Sequence, residues 1–316
     1  MNEEERAMII TVTLNPALDK TVILPGFAVN TVNRVSATRL DPGGKGINVS
    51  KVVKALGGKT LVLGVLGGAA GGYIQASMDE MSLPNDMVLT GEVTRTNIKI
   101  IDPLLQTNTD INEAGSPITE ATLEAVWHKL TRAVKAGDTV VFAGKNPPGM
   151  SDSRLAEWVT RLHGMNVYTC VDTVGEPMRQ AINAQPDIIK PNREELSELL
   201  GRRMVTDTDV LDGARELVDR GVGLVAASMG SEGAVFVTRK QTFRGYAPKV
   251  PVVSVVGAGD AMMASLAHYI AAGCSLEESA RRSIAVSAAS VMCSGSNAPE
   301  LDMILPLIDQ VRMEKI

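Results

Sequence analysis

The chain has 316 residues, 45% of them hydrophobic and 21% charged, with a formal net charge of −5. That length supports a sizeable core in one large α/β domain or two smaller ones. The acidic balance argues against a general nucleic-acid binder, and no apolar run reaches the roughly 18 residues of a membrane span. Aromatics are only 3%, so the core must be built from Val, Ile, Leu, Ala and Met, which suits parallel strands buried on both faces. Cys170, Cys274 and Cys293 show no paired spacing, and His128, His163 and His268 show no metal-ligand spacing. Without a disulfide framework or a signal peptide, a cytoplasmic setting is expected. Residues 1–6 are acidic and expected to form a solvated tail.

In chain order, strand-like runs fall at 9–14, 60–66, 139–143, 167–171, 188–189 and 224–228. Amphipathic helices fall between them. In 46–56, Ile47, Val49, Val52, Val53 and Leu56 repeat at near-helical spacing, 119–134 opens on a Thr119 cap, and 153–162 behaves similarly. Strand–helix alternation predicts a mostly parallel sheet with helices on both faces. Two stretches, 20–39 and 94–111, break the rhythm with alternating apolar and polar residues and no helix signal. They are expected to form a small antiparallel flap over the end of the main sheet, within a single domain spanning 1–316. Exposed strand edges need covering, so a homodimer paired through the flaps is expected. Beyond Gly257 the pattern is helical at 258–272, 275–293 and 301–313.

Four polar, mostly glycine-rich segments carry the chemistry. Asp41-Pro42-Gly43-Gly44-Lys45-Gly46-Ile47-Asn48 offers close backbone approach, a cation and an amide that binds hydroxyls either way. It is not a Walker loop. Val256-Gly257-Ala258-Gly259-Asp260 lacks the third glycine of a dinucleotide fingerprint, because Met262 stands there. At a helix start it sets backbone donors beside a carboxylate, which suits phosphoryl transfer. Lys190-Pro191-Asn192-Arg193-Glu194-Glu195 follows a buried strand, where ligands of open α/β sheets bind, and Asn192 and Glu195 suit a hydrated Mg²⁺. Ser228-Met229-Gly230-Ser231-Glu232-Gly233 is a further turn after a strand, fit for a nucleotide phosphate. Each alone also reads as an ordinary turn or helix cap.

Their order, together with Asn15-Pro16-Ala17-Leu18-Asp19, resembles the ribokinase/PfkB carbohydrate kinase family from about Ile9 to the C-terminus. Residues 11–19, 42–50, and Thr94-Arg95-Thr96-Asn97-Ile98-Lys99 followed by Thr109-Asp110-Ile111-Asn112 are most similar to the branch of 1-phosphofructokinases and tagatose-6-phosphate kinases. The resemblance implies a ribokinase-like three-layer sandwich with a β lid, transferring the ATP γ-phosphate to a ketohexose monophosphate, foremost fructose 1-phosphate. It implies Asp260 as base and Gly257, Ala258 and Gly259 as anion hole. Asp19, Gly44 and Asn48 would hold sugar hydroxyls; Lys45 and Arg95, with Arg34 a lesser candidate, would meet the sugar's phosphate. Lys190, Asn192, Glu195, Ser228, Gly230 and Gly233 would serve ATP and Mg²⁺. Two departures stand out: Lys145 occupies a position that is serine in the branch, and 67–72 lacks the branch's acidic residues. Tagatose-6-phosphate or fructose-6-phosphate phosphorylation, and a non-catalytic sugar-phosphate sensor, remain the alternatives.

Overall fold

A computed structural model of the chain describes residues 7–316; the acidic stretch 1–6, expected to be a solvated tail, lies outside the described residues. The elements run β1 (Ile9–Thr13), β2 (Ala17–Ile23), β3 (Ala37–Gly43), α1 (Lys45–Ala55), β4 (Thr60–Gly67), α2 (Gly68–Glu80), β5 (Val88–Thr90), β6 (Arg95–Asp102), β7 (Thr107–Asn112) and α3 (Glu120–Ala133). There follow β8 (Thr139–Ala143), α4 (Arg154–His163), β9 (Tyr168–Asp172), α5 (Glu176–Asn183), β10 (Ile188–Ile189), α6 (Arg193–Leu200), α7 (Asp207–Asp219) and β11 (Leu224–Ser228). The last elements are β12 (Ala234–Val237), β13 (Thr242–Tyr246), α8 (Ala258–Ala271), α9 (Leu276–Ser290), α10 (Leu301–Ile308) and β14 (Arg312–Lys315).

A ten-stranded sheet in the order β14-β13-β12-β11-β10-β9-β8-β1-β4-β5 forms the middle layer. From β11 through β5 the pairings are parallel, and from β11 outward to β14 they are antiparallel. Alternation along β1 explains the two outer layers. Ile10 and Val12 join the core under α3 to α7, whereas Ile9 joins the core under α1, α8, α9 and α10. The first of these cores holds Trp127 and Trp158, with ring centroids 5.4 Å apart and Phe142 5.9 Å from Trp158. On the other face α1 sits close to β1, because Ser50 bonds the hydroxyls of Thr11 and Thr60 at 2.8 and 2.7 Å.

A second, four-stranded sheet has the order β3-β2-β6-β7. It is antiparallel within β2–β3 and β6–β7 but parallel between β2 and β6, which corrects the expectation of an antiparallel flap. The reason is that the two hairpin-linked pairs are joined through strands far apart in the chain. Its strands reach beyond the two stretches read as a flap: β2 begins at Ala17, and β3 runs on through Asp41-Pro42-Gly43 to the start of α1. Its base packs through Leu18 with Ile47, Leu66, Ile74 and Met78, while Val22, Leu24 and Ile100 make a small core of their own.

The last helix corrects the reading of 301–313. It stops at Ile308, and Arg312–Lys315 pairs antiparallel with β13. Buried Val311 and half-buried Met313 alternate with exposed Arg312 and Glu314, a period of two that covers the open edge of β13. No helix among the described residues is long and apolar enough to cross a membrane.

Gly67 ties the two sheets together. Its N–H donates to Thr94 Oγ1 at 2.9 Å, and its carbonyl accepts the Thr94 N–H at 3.0 Å, just before Arg95 opens β6. A Cβ on Gly67 would stand 1.9 Å from the Glu92 carbonyl oxygen and 2.7 Å from that of Thr90. Both are backbone atoms, so Gly67→Ala should lower unfolding stability by about 1–3 kcal/mol. An unchanged midpoint in a urea melt would show that the junction yields freely.

Candidate active site

The carboxyl ends of β1, β9, β10 and β11 open on one edge of the sheet, and α8 starts there. Gly257 has φ 83°, a left-handed conformation that glycine adopts without strain. It turns the chain so that Asp260, 6% exposed, falls in the first turn of α8. The Ala258 N–H reaches the Val255 carbonyl only at 3.4 Å, and first-turn amides lack intrahelical acceptors, so the turn is suited to an anion. A Cβ on Gly259 would lie 3.0 Å from Lys190 Nζ; the missing side chain leaves that ammonium beside the amides. Burial pushes the Asp260 carboxyl above its ordinary value. Lys45, the Asn48 hydrogen bond and Lys190 oppose the rise, and Asp172 adds to it. Asn48 Nδ2 donates to Asp260 Oδ2 at 2.8 Å.

Asp172 was not singled out in the sequence. It ends β9, is 1% exposed, and accepts from Lys45 Nζ at 3.0 Å, with Lys190 Nζ 3.7 Å from its other oxygen. Burial favours its neutral form, but the two ammonium groups outweigh that and hold its carboxyl below the usual range. The Lys45 ammonium loses by burial yet is raised overall, because Asp172, Asp260 and Glu195 face it. Asp260, Asn48, Lys45, Lys190 and Glu195 are thus brought to one place. The available signal for Asp172 was the one applied to Lys190: a charged residue directly after a buried apolar strand.

On the lid side, Asp19 Oδ1 accepts from Asn97 Nδ2 at 2.9 Å, and burial raises its carboxyl. Gly43 is required there, since a Cβ would fall 2.1 Å from Asp19 Oδ2. Gly44, at φ 127°, caps α1 against Thr13 and Pro16. A cleft of about 610 Å³ separates the lid sheet from 252–256 and 294–296; Asp19, Asn97, Lys99 and Asp41 line it. Arg95 spends its guanidinium on the carbonyls of Asn15 and Glu113, and Lys99 lies 3.4 Å from Asp110. Arg34 is exposed between β2 and β3, and exposed Lys145 makes no hydrogen bond or ion pair among the described residues. Next to Lys145, buried Asn146 Nδ2 has no partner among the described residues.

Beside the first turn of α8, Asn192, Ser228, Gly230, Gly233 and Gly259 line a second cleft of about 650 Å³. The two polar segments are bonded side by side, because the Ser228 N–H donates to the Pro191 carbonyl at 2.9 Å. Gly233, at φ 102°, lets its turn lie on β13; a Cβ would be 2.2 Å from the Gly245 carbonyl. Asn192 and Glu195 form a reciprocal cap on α6: Asn192 Oδ1 accepts the Glu195 N–H at 2.8 Å, and Glu195 Oε2 accepts the Asn192 N–H at 2.9 Å. The second oxygen of Glu195 and the buried Asp172 Oδ2, which has Lys190 Nζ at 3.7 Å but accepts no hydrogen bond, are oxygen donors of the kind Mg²⁺ takes, directly or through water.

Comparison with known proteins agrees with this geometry. The profile described as pfkB family carbohydrate kinase matches residues 12–303. The chain is 37% identical over 309 residues to a 1-phosphofructokinase of Rhodobacter capsulatus, covering 98% of each. It is 33% identical over 304 residues to the 1-phosphofructokinase of Escherichia coli strain K12, covering 95% of this chain and 97% of that one. Among solved structures, Escherichia coli phosphofructokinase-2 in complex with substrates and products superposes with a TM-score of 0.91 at 27% identity, over 96% of this chain and 99% of that one. A ribokinase of Thermotoga maritima shares the fold, with a TM-score of 0.78 at 19% identity over 96% and 99%. The buried aspartate at a glycine-opened helix, the lid sheet and the match over nearly the whole chain lead to one assignment: the chain belongs to the pfkB family of carbohydrate kinases.

Proposed function

We propose that the chain is an ATP-dependent 1-phosphofructokinase, transferring the γ-phosphate to fructose 1-phosphate to give the 1,6-bisphosphate. The observation that carries this is the placement of Asp260, buried in the first turn of α8 directly after Ala258 and Gly259, which line the Asn192–Ser228 cleft, and held by Asn48 from α1. A carboxylate there can accept the proton of a sugar hydroxyl as that oxygen attacks the γ-phosphorus. The Gly259 and Asp260 amides and the Lys190 ammonium would meet the charge on the transferring group. Lys45, among Asp172, Asp260 and Glu195, would serve the same group. Asp19 and Gly44, with Asn97 beside them, would orient the sugar hydroxyls. Exposed Arg34 and Lys145 would meet the sugar's own phosphate, with Asn146 a further donor next to Lys145, and Arg95 would join them on leaving the Asn15 and Glu113 carbonyls. Lys190, Asn192, Glu195, Ser228, Gly230 and Gly233 would hold the nucleotide. Glu195 and Asp172 would hold Mg²⁺ with ATP, directly or through water, and the ion would neutralise phosphate charge there.

The structural likeness to phosphofructokinase-2 of Escherichia coli, solved with fructose-6-phosphate, makes that sugar the second reading. The chain is read as one catalytic unit, in a soluble cytoplasmic setting. Exposed Val32, Leu104 and Leu105 on the lid, at 76, 73 and 62%, support a homodimer closed lid to lid.

ADP release with Mg²⁺-ATP should show the highest kcat/KM for fructose 1-phosphate, ahead of tagatose 6-phosphate, fructose 6-phosphate and unphosphorylated sugars; preference for a 6-phosphate would transfer the assignment to the second reading. Asp260→Asn should cut kcat by about 10²–10⁴-fold with nucleotide affinity nearly unchanged. Because burial raises the Asp260 carboxyl, the acidic limb of kcat against pH should lie above the ordinary aspartate value of about 3.9. Asp172→Asn removes the carboxylate that both Lys45 and Lys190 face, leaves Asp260 and Glu195 as their remaining counter-charges, and should destabilise the fold by about 3 kcal/mol, read as a lowered denaturation midpoint. Light scattering that finds only monomer would remove the lid dimer.

A further inference from the structure

Lys51 has no part in the reaction as described so far, yet its ammonium sits where three chain segments meet. Nζ donates to the Pro42 carbonyl at the end of β3 at 2.9 Å, to Asn48 Oδ1 one turn back on α1 at 3.2 Å, and to Ser296 Oγ beyond α9 at 3.4 Å. Three acceptors match the three hydrogens of an ammonium group. The Ser296 backbone in turn lies against Gly257, whose added Cβ would come within 3.6 Å of it.

The contact with Asn48 has a chemical consequence. An amide has a donor end and an acceptor end, and the Asn48 donor end faces Asp260 Oδ2 at 2.8 Å. Rotating that amide by half a turn would set oxygen against carboxylate and NH₂ against ammonium, two repulsive contacts in place of two attractive ones. We propose that Lys51 is a positioning residue for phosphoryl transfer, fixing the Asn48 amide with Nδ2 on the Asp260 carboxylate and tying that pair to the lid strand β3. The inference rests on the reading of Asp260 as base.

The charges around Lys51 are consistent with this role. Asp41 on β3, Asp19 on β2 and Asp260 on α8 all favour its ammonium, while burial brings it down to about 8. Arg39 on β3 holds Asp41 Oδ2 at 2.8 Å, and Ser296 adds no charge from its side. Lys51 therefore keeps its proton at neutral pH, when the Asp260 carboxylate is ionised and needs the amide donor.

The test is the kcat–pH profile of the full chain carrying Lys51→Met or Lys51→Arg, with ATP affinity and thermal melting as folding controls. Lys51→Met should lower kcat near neutrality by about tenfold and move the acidic limb up by about one pH unit. ATP affinity should not change. Lys51→Arg, which keeps the charge and the donors, should restore both values to near wild type. A folded Lys51→Met protein whose acidic limb stays in place would reduce Lys51 to a strut and overturn the proposal. If Lys51→Met does not fold, Lys51→Leu, which likewise has no donor for Asn48 Oδ1, carries the same comparison, and an unmoved limb there overturns it equally. Full activity of Asp260→Asn would remove the base itself, a failure visible without any Lys51 variant.

Discussion

A cluster of four charged groups, largely withdrawn from water, sets the terms for the rest of this molecule. Asp172 and Asp260 each lose hydration in their positions, and each is retained only because Lys45 and Lys190 stand close by. The four come from different places: the end of β9, the first turn of α8, the first residue of α1 and the residue after β10. Removing any of them would strand charge of the opposite sign. The balance therefore fixes how those four elements sit relative to one another, and the adjoining clefts take their shape from that arrangement.

The clefts are divided by little more than the stretch leading into α8. Val252 and Val255 line both, and they are 63 and 71% exposed. Side chains this apolar and this exposed are poorly suited to water but well suited to a ligand on either side. The lid sheet closes the further cleft through joints rather than through bulk: Gly67 with Thr94, Gly43 with Asp19, and Lys51 with Pro42. The first and last of these are hydrogen bonds with defined directions and the middle one is a close approach that only glycine allows, so lid position and charge placement are linked.

The layered architecture was legible because its signals are local. The strand-like run at 9–14 and the near-helical spacing in 46–56 sit within single elements and survive any tertiary context. The antiparallel margin was not legible. The segment at 312–315 becomes a strand only because β13 offers an unpaired edge. For the site, motif order marked where backbone and charge converge, as at Gly257 to Asp260. Pairings were hidden by distance along the chain: Lys45 meets a carboxylate 127 residues away, and Asn48 meets one 212 residues away. Lys51 was not singled out in the sequence, and only its three acceptors distinguish it.

The scarcity of aromatic residues reaches into how this protein can be watched. Its two tryptophans, Trp127 and Trp158, are 3 and 0% exposed and nearly stacked within one layer. The sheet separates that layer from α1 and α8, where the charged cluster and the glycine-opened turn lie. Intrinsic emission will therefore follow unfolding of the α3–α4 layer and stay nearly silent as ligands enter or the lid shifts. An optical reporter of turnover has to be introduced, and the exposed valines between the two clefts mark where one would sense both.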